Sequence, residues 1–302
     1  MLRELICTTC GSRDYRVRYE ARLPAAARLD FAARRSGQRY HPRIVECRRC
    51  GQIYSNPYFT DDVITGLYRQ APYTTEPQLE NMARDYLQIF EEAVQPLGRK
   101  DLRILEVGTA DGFFLHRLRQ RGYSCIGGIE PGAAAVARAD DDIRPLIVND
   151  FLRSDTFPGE SFDVVCCFQV MDHLPDPGQF VRTVWRILAP GGRFVAVNHD
   201  IRAPITRLLG QRSPMYDIEH VFLFDRRTMT RLLIGAGFAV DVCRRLSNAY
   251  TLDYAVKMLP LPAGVKGLAD RLLGLFGMGR VSVHVPGGNM ATIARRPDDS
   301  GT

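Results

Sequence analysis

Between Leu102 and Leu115 the chain reads Leu-Arg-Ile-Leu-Glu106-Val-Gly108-Thr-Ala110-Asp-Gly112-Phe-Phe-Leu115, and no other stretch restricts the possible folds as strongly. A short apolar run ends in a glycine-rich turn and passes directly into apolar residues at helical spacing that continue through Leu118. That succession spells strand, tight loop and helix, a unit that binds nucleotide-like ligands. Glycines at 108 and 112 let backbone approach a ligand closely, and the first turn of the helix offers amide groups to a carboxylate or phosphate. Such a loop is common on its own, so the segments that follow decide its meaning.

The next apolar run, Cys125–Ile129, ends in Glu130, eighteen residues beyond Gly112, where an acid can accept hydrogen bonds from both hydroxyls of a ribose. A third strand is expected at Leu146-Ile-Val-Asn149-Asp150-Phe151, whose polar and aromatic end suits an adenine ring. A fourth, Phe162–Phe168, leads into Gln169-Val-Met-Asp172-His173-Leu174-Pro175-Asp176-Pro177. A helix over Gln179–Leu188, a turn at Ala189-Pro190-Gly191-Gly192 and a strand over Arg193–Val197 complete the series. Strands alternating with crossovers imply a parallel sheet with helices on both faces. Cys166 and Cys167 fall inside a near-continuous apolar strand and read as core.

Four of the eight cysteines make a separate pattern, Cys7-Thr-Thr-Cys10-Gly and Cys47-Arg-Arg-Cys50-Gly. Each Cys-x-x-Cys turn brings two thiolates to one metal, the following glycine suits the positive φ of such a turn, and two turns complete a tetrahedral zinc site. Redox dithiols or a disulfide are the alternative. A cytosolic chain disfavours stable disulfides, and no thioredoxin-like context surrounds either pair. The spacer between the pairs exceeds the ~15–20 residues of a compact ribbon, so residues 20–42 are expected to loop out. With four cysteine ligands no coordination position is left for substrate, which makes the expected zinc structural. A segment with so little core needs such a staple.

The segments after residue 100 together resemble the class I S-adenosylmethionine-dependent methyltransferases that act on small molecules. Five features carry the resemblance, in family order: the glycine loop opened by Glu106, the acid Glu130, Ser161-Phe-Asp-Val-Val, His173-Leu-Pro-Asp-Pro and Leu188-Ala-Pro-Gly-Gly192. They cover about residues 100–245. The start, with Cys50-Gly-Gln-Ile-Tyr-Ser-Asn-Pro57, resembles a bacterial subgroup that joins a zinc ribbon to this domain. The resemblance implies an α/β fold: a doubly wound, Rossmann-like seven-stranded sheet with a small N-terminal zinc ribbon and helical cap insertions. It divides the chain into a four-cysteine zinc ribbon over 1–58, a helical linker or cap over 59–99 and the methyltransferase domain over 100–302, with a helical insertion at 251–280. S-adenosylmethionine would be the cofactor and zinc the structural metal. Glu106, Gly108 and Gly112 would line the methionine side, Glu130 would hold the ribose, and Asp150 with Phe151 would contact adenine. Phe168 and Gln169 would sit near the sulfonium. Ala110 stands where the family often has a third glycine, and it belongs to the same binding loop.

A sulfonium methyl is already electrophilic, so the protein mainly has to align an acceptor and exclude water. A hydroxyl acceptor also needs a base, for which imidazole has the suitable pKa. His173, His199 and His220 are the candidates, each at or over the carboxyl end of an expected strand. A structural role for each is the alternative.

Residues 61–96 and 251–277 read as helical caps. The second is rich in leucine, with Lys257, Lys266 and Arg271 interspersed. It reads either as a packed cap or as an amphipathic surface for a lipid-linked acceptor. No apolar run approaches the ~18 residues of a membrane span and no signal-peptide layout is present, so a cytoplasmic enzyme is expected.

The net charge of +6 comes from arginines spread along the chain, with only three lysines among 40 basic residues, a weak hint of phosphate-bearing partners. A small-molecule acceptor such as a sugar, polyketide or lipid-linked intermediate, methylated on oxygen, is the leading expectation. Two rivals remain: an RNA methyltransferase gripping nucleic acid through Arg16, Arg18, Arg34, Arg35, Arg43, Arg48 and Arg49, and a non-catalytic scaffold with a vestigial fold.

Overall fold

The computed structural model describes residues 2–23, 40–70, 78–258 and 261–298; most of the expected 20–42 loop lies outside these described residues. The N-terminal half of the chain forms β1 (Leu2–Arg3), β2 (Tyr15–Tyr19), β3 (Ile44–Cys47), β4 (Ile53–Ser55), β5 (Tyr58–Phe59), α1 (Asp61–Gln70), α2 (Leu79–Val94), β6 (Ile104–Val107), α3 (Phe113–Gln120), β7 (Ile126–Ile129), α4 (Ala133–Val136) and β8 (Ile147–Val148). The remainder forms β9 (Phe162–Phe168), α5 (Pro177–Ile187), β10 (Leu188–His199), α6 (Pro204–Leu209), β11 (Phe222–Leu223), α7 (Arg226–Gly235), β12 (Ala239–Thr251), α8 (Leu252–Met258), α9 (Ala263–Leu275) and β13 (Ser282–Arg295).

Seven strands build one sheet in the order β12-β13-β10-β9-β6-β7-β8. From β10 to β8 the pairs are parallel, and β13 enters antiparallel between β10 and β12. The expected seven-stranded α/β sheet is present, mixed at one edge. Alternate side chains of the central strands feed two cores, as the two-residue repeat of a strand requires. Leu105, Val165, Cys167 and Phe194 pack with Phe180 and Val184 of α5 and Leu233 of α7. Ile104, Val164, Cys166 and Val195 pack with Phe90 of α2 and Phe114 and Leu118 of α3. Burial on both faces explains why β9 is apolar from Val164 to Phe168 and why β6 carries Ile104, Leu105 and Val107 around the buried acid Glu106, and both inner cysteines are fully buried as expected. From β6 the chain moves outward to β7 and β8, then returns to lay β9 on the other side of β6. That reversal opens a crevice at the carboxyl ends of β6 and β9.

Several elements differ from expectation. The strand expected over Leu146–Phe151 shrinks to β8, because Arg144–Leu146 forms a 3₁₀ turn around Pro145. The last strand, β13, is long, running from Ser282 to Arg295. Its first half contains Pro286, Gly287 and Gly288, poor strand formers that become strand only through pairing with β12, where Ser247 faces Pro286 and Thr251 faces Ser282. The helices expected at 251–277 appear as α8 and α9, inserted between these two long strands.

In the N-terminal region β2, β3 and β4 are antiparallel, and the fourth strand of that sheet is β11, from the second half of the chain. The rings of Tyr54 and Phe222 stack at 5.3 Å. Side chains also cross: Ser55 Oγ donates to the His220 carbonyl (3.1 Å), Tyr58 Oη to that of Ile218 (2.8 Å) and Gln52 Nε2 to that of Leu223 (2.9 Å). Leu5, Cys7, Val45, Cys47 and Tyr58 belong to the same buried cluster as Leu105 and Phe194, so the two sheets share one core.

Candidate active site and cysteine cluster

The loop between β6 and α3 takes left-handed backbone at Gly108 (φ 76°), Ala110 (φ 51°) and Gly112 (φ 77°). A Cβ at Gly108 would lie 2.3 Å from Val170 Cγ2, and one at Gly112 2.4 Å from Ile143 Cγ2. These two glycines are therefore required by contact as well as by φ. Ala110 adopts the same region at a steric cost of roughly 1–2 kcal/mol. Glu106 is fully buried beneath the loop and accepts a hydrogen bond from Thr109 Oγ1 (2.5 Å). Burial pushes its carboxyl up to about 8, against the opposing pull of the Thr109 bond.

Glu130 holds the loop from the neighbouring strand end. Its Oε2 accepts from the Ala110 amide (3.1 Å) and its Oε1 from the Gly132 amide (2.7 Å). Burial raises its pKa while those two bonds oppose the rise. Each oxygen keeps a second lone pair for a ligand hydroxyl. Asp150 accepts from Phe151 N (2.8 Å) and from both terminal nitrogens of Arg153 (2.6 and 3.1 Å), and the guanidinium holds its carboxyl below the usual range. Phe168, at the end of β9, stacks on Tyr86 of α2 at 4.3 Å and meets Phe114 edge-on. Gln169 has φ 57°, and its Oε1 is buried without a well-aligned donor. Tyr86 carried no sequence signal for this contact, because only packing of α2 on the sheet creates it.

The three histidines, far apart in sequence, converge. His173 and His220 lie ring to ring at 4.7 Å, and His199 and His220 at 5.2 Å. His173 ends the 3₁₀ turn Met171–His173 after β9, and His199 ends β10. His220 is held in the segment before β11 by its own amide donating to Asp217 Oδ1 (2.8 Å), and its Nδ1 lies 2.9 Å from the same oxygen. Asp172, fully buried, accepts from His199 N (3.1 Å) and Asn198 Nδ2 (3.3 Å). The His199 Nδ1 atom is 2.7 Å from Asn289 Oδ1 on β13. Asp172, Asp217 and Asn289 were not singled out in the sequence. The two aspartates had a signal, lying one residue before His173 and three before His220, whereas Asn289 had none.

At the other site the four N-terminal sulfurs converge, with Sγ separations of 3.4 Å for Cys7–Cys50, 3.6 Å for Cys10–Cys47 and 3.7 Å for Cys7–Cys10. Four sulfurs at ~2.3 Å from a tetrahedral metal would stand about 3.8 Å apart, so the cluster is near metal-ligand geometry. A hydrogen bond from Cys7 lowers the Cys50 thiol to about 5, and the same contact, with burial, raises Cys7.

A glycine loop after β6, an acid after β7 and a polar turn after β9, gathered at the sheet's reversal, form the layout of the class I S-adenosylmethionine-dependent methyltransferase fold. The model of the methyltransferase-domain family matches residues 79–241, more than half of the chain, and the chain belongs to that family. Among curated proteins it is similar to a ubiquinone biosynthesis O-methyltransferase of Psychrobacter cryohalolentis, 27% identical over 43% of this chain and 54% of that one. One of Pseudomonas fluorescens, strain Pf0-1, is 31% identical over 40% and 54%. The chain spans about half the length of these relatives. Among solved structures, the [4+2]-cyclase SpnF superposes with a TM-score of 0.51 at 18% identity, covering 76% of this chain and 84% of that one. That likeness is one of fold alone.

Proposed function

We propose that this enzyme methylates a hydroxyl of a small metabolite, with the histidine cluster activating the acceptor. The observation that carries the reading is the convergence of His173, His199 and His220 with Asp172 beside the turn that follows β9, whose Val170 packs against Gly108 of the loop. When bound, S-adenosylmethionine supplies a sulfonium methyl. Glu106 would pair with its ammonium group, Gly108, Ala110 and Gly112 would lie against its methionine part, and Glu130 would take the ribose hydroxyls through its remaining lone pairs. Asp150 and Phe151 would meet adenine, with Phe168 and Gln169 toward the sulfur. An imidazole of the cluster would accept the acceptor's proton as its oxygen bonds to the methyl carbon and the bond from that carbon to sulfur breaks, the sulfur keeping the electron pair as a neutral thioether.

Cys7, Cys10, Cys47 and Cys50 would hold a structural zinc ion, closed to substrate. Residues 1–58 would act as the zinc ribbon, 59–99 as a helical linker and cap, and 100–302 as the catalytic domain with its insertion at 251–280, all in the cytoplasm. No helix among the described residues is long and apolar enough to cross a membrane. For the acceptor, a sugar, a polyketide and a lipid-linked intermediate are the candidate classes. The apolar face of α9, where Leu268, Leu272 and Leu275 are exposed near Lys266 and Arg271, supports the greasier of these, as does the ubiquinone named for the relatives. Nucleic acid is a poorer fit. Arg16 and Arg18 pair with Glu46, Arg43 with Glu4 and Arg48 with Asp14, which already neutralises much of the ribbon's charge; Arg34 and Arg35 lie outside the described residues.

Calorimetric titration with S-adenosylmethionine tests the reading first. Micromolar binding is expected, weakened about 100-fold or more in Glu130→Ala through loss of charge-assisted bonds. A folded protein that binds no cofactor would move the scaffold alternative to first place. Methyl transfer to hydroxyl-bearing acceptors, with single His→Asn variants of the cluster, then tests acceptor activation.

A further inference from the structure

The cluster offers more donors than proton transfer needs. We infer that Asp172, His199 and His220 bind a divalent transition-metal ion, which takes the oxygen of the acceptor and leaves His173 beside it to receive the proton; this rests on the acceptor-activation reading above. One ligand atom from each of the three residues lies within 4.8 Å of the other two. A metal at about 2.1 Å would draw them to roughly 3–3.5 Å from one another.

The surroundings prepare the donors for this role. On His199 the preparation is a relay of amides. Asp85 Oδ2 accepts from Asn248 Nδ2 (2.8 Å), Asn248 Oδ1 accepts from Asn289 Nδ2 (3.0 Å), and Asn289 Oδ1 faces His199 Nδ1 at 2.7 Å. With a carboxylate at its far end, every donor in the relay points toward Asp85. That sense puts the imidazole proton on Nδ1 and the lone pair on Nε2, the form in which histidine ligates metals. On His220 the Asp217 carboxylate stands 2.9 Å from Nδ1, a charge contact not aligned as a hydrogen bond, and its negative charge favours a proton on that nitrogen. Asp172 is oriented by Asn198 Nδ2 and the His199 amide. Carboxylate or amide oxygens behind both imidazoles are a common arrangement around metal-bound histidine. A general base alone would need one histidine and one such partner.

Two imidazoles and one carboxylate suit zinc, iron(II), manganese or cobalt, and leave coordination positions open for an acceptor oxygen. A hydroxyl bound there would ionise at lower pH, as metal-bound water does. This site differs in kind from the four-cysteine cluster, whose ligand set is complete.

The test is cobalt(II) titration of the full chain, its cysteine cluster first loaded with zinc, followed by visible absorption and calorimetry. One further equivalent is expected, with d–d bands and no sulfur-to-cobalt charge transfer. His220→Ala and Asp172→Asn should weaken it about 100-fold or more, and Asn289→Ala about 10- to 100-fold through disorientation of His199. Zinc content of the cysteine cluster and cofactor affinity, both retained, certify that each variant is folded. Failure of folded wild-type protein to take a second equivalent would overturn the metal site, as would a second equivalent indifferent to these variants. If methyl transfer then persists with cofactor binding intact, the base reading stands without the metal. A second equivalent in a protein that binds no cofactor would instead keep the site and remove the activity reading.

Discussion

The cysteine cluster and the glycine loop are both short and both depend on tight turns, yet they are held in opposite ways. Around Cys7, Cys10, Cys47 and Cys50 the order comes from side chains that meet at one point, across chain separations of about 40 residues. At Gly108, Ala110 and Gly112 the order comes from backbone, pinned by packing on Val170 and Ile143 and by the Ala110 amide donating to Glu130. A ligand cluster fails all at once when one member is lost, whereas a packed loop degrades in proportion to each contact. The two regions are nevertheless joined, because β11 completes the N-terminal sheet and directly follows the segment bearing His220.

The hardest blow to this contrast is Cys47→Ser. Loss of one of the four proposed zinc ligands should cost several kcal/mol and unravel β2 to β4, seen as lost amide-exchange protection. Because β4 carries β11, methyl transfer should drop more than ~100-fold while cofactor affinity changes by less than ~3-fold. Full turnover in a protein with an unprotected N-terminal sheet would mean that the regions are not coupled.

Gly108→Ala attacks the other side. The added Cβ meets Val170 Cγ2 at 2.3 Å on a backbone of φ 76°, so cofactor affinity should fall at least ~30-fold, with zinc content unchanged. Adding Val170→Ala should recover part of that loss, since it relieves the contact and leaves only the backbone strain. No recovery would assign the whole effect to φ.

Glu106 makes the loop sensitive to pH. Its folded-state pKa of about 8 stands above the ordinary 4.5, so between these values the folded protein holds a proton that the unfolded chain has released. Its contribution favours folding below about 4.5 and is lost as pH rises through 8. Thermal unfolding without cofactor should show a falling stability over that window, flattened in Glu106→Gln. If the carboxylate pairs with the cofactor's ammonium, binding at pH 7 should also release up to one proton, measurable by calorimetry in buffers of different ionisation enthalpy.

The gentlest probe is Ala110→Gly. Relief of the left-handed alanine and the extra freedom of glycine in the unfolded chain nearly cancel, so a gain below about 1 kcal/mol is expected in the denaturation midpoint. A clear loss would show that the alanine methyl packs usefully in the loop.

Much of this was legible in the chain. Apolar runs that alternate with helical spacing locate the parallel core, because β6 and β9, buried on both faces, leave little room for polar residues. The paired Cys-x-x-Cys turns foretell their own meeting, and left-handed turns select for glycine at 108 and 112. These are local consequences of backbone sterics, burial and ligand chemistry, written into the order of neighbouring residues. That order did not determine which distant partners would meet. The first half of β13 becomes a strand only against β12, and β11 crosses from the second half of the chain into the N-terminal sheet. Tyr86 reaches Phe168 only because α2 lies on that face. Three histidines named separately became one cluster, joined by Asp172, Asp217 and Asn289, when the ends of β9 and β10 and the segment before β11 were brought side by side. Such contacts depend on the positions of elements in space, which the spacing of residues along the chain does not record.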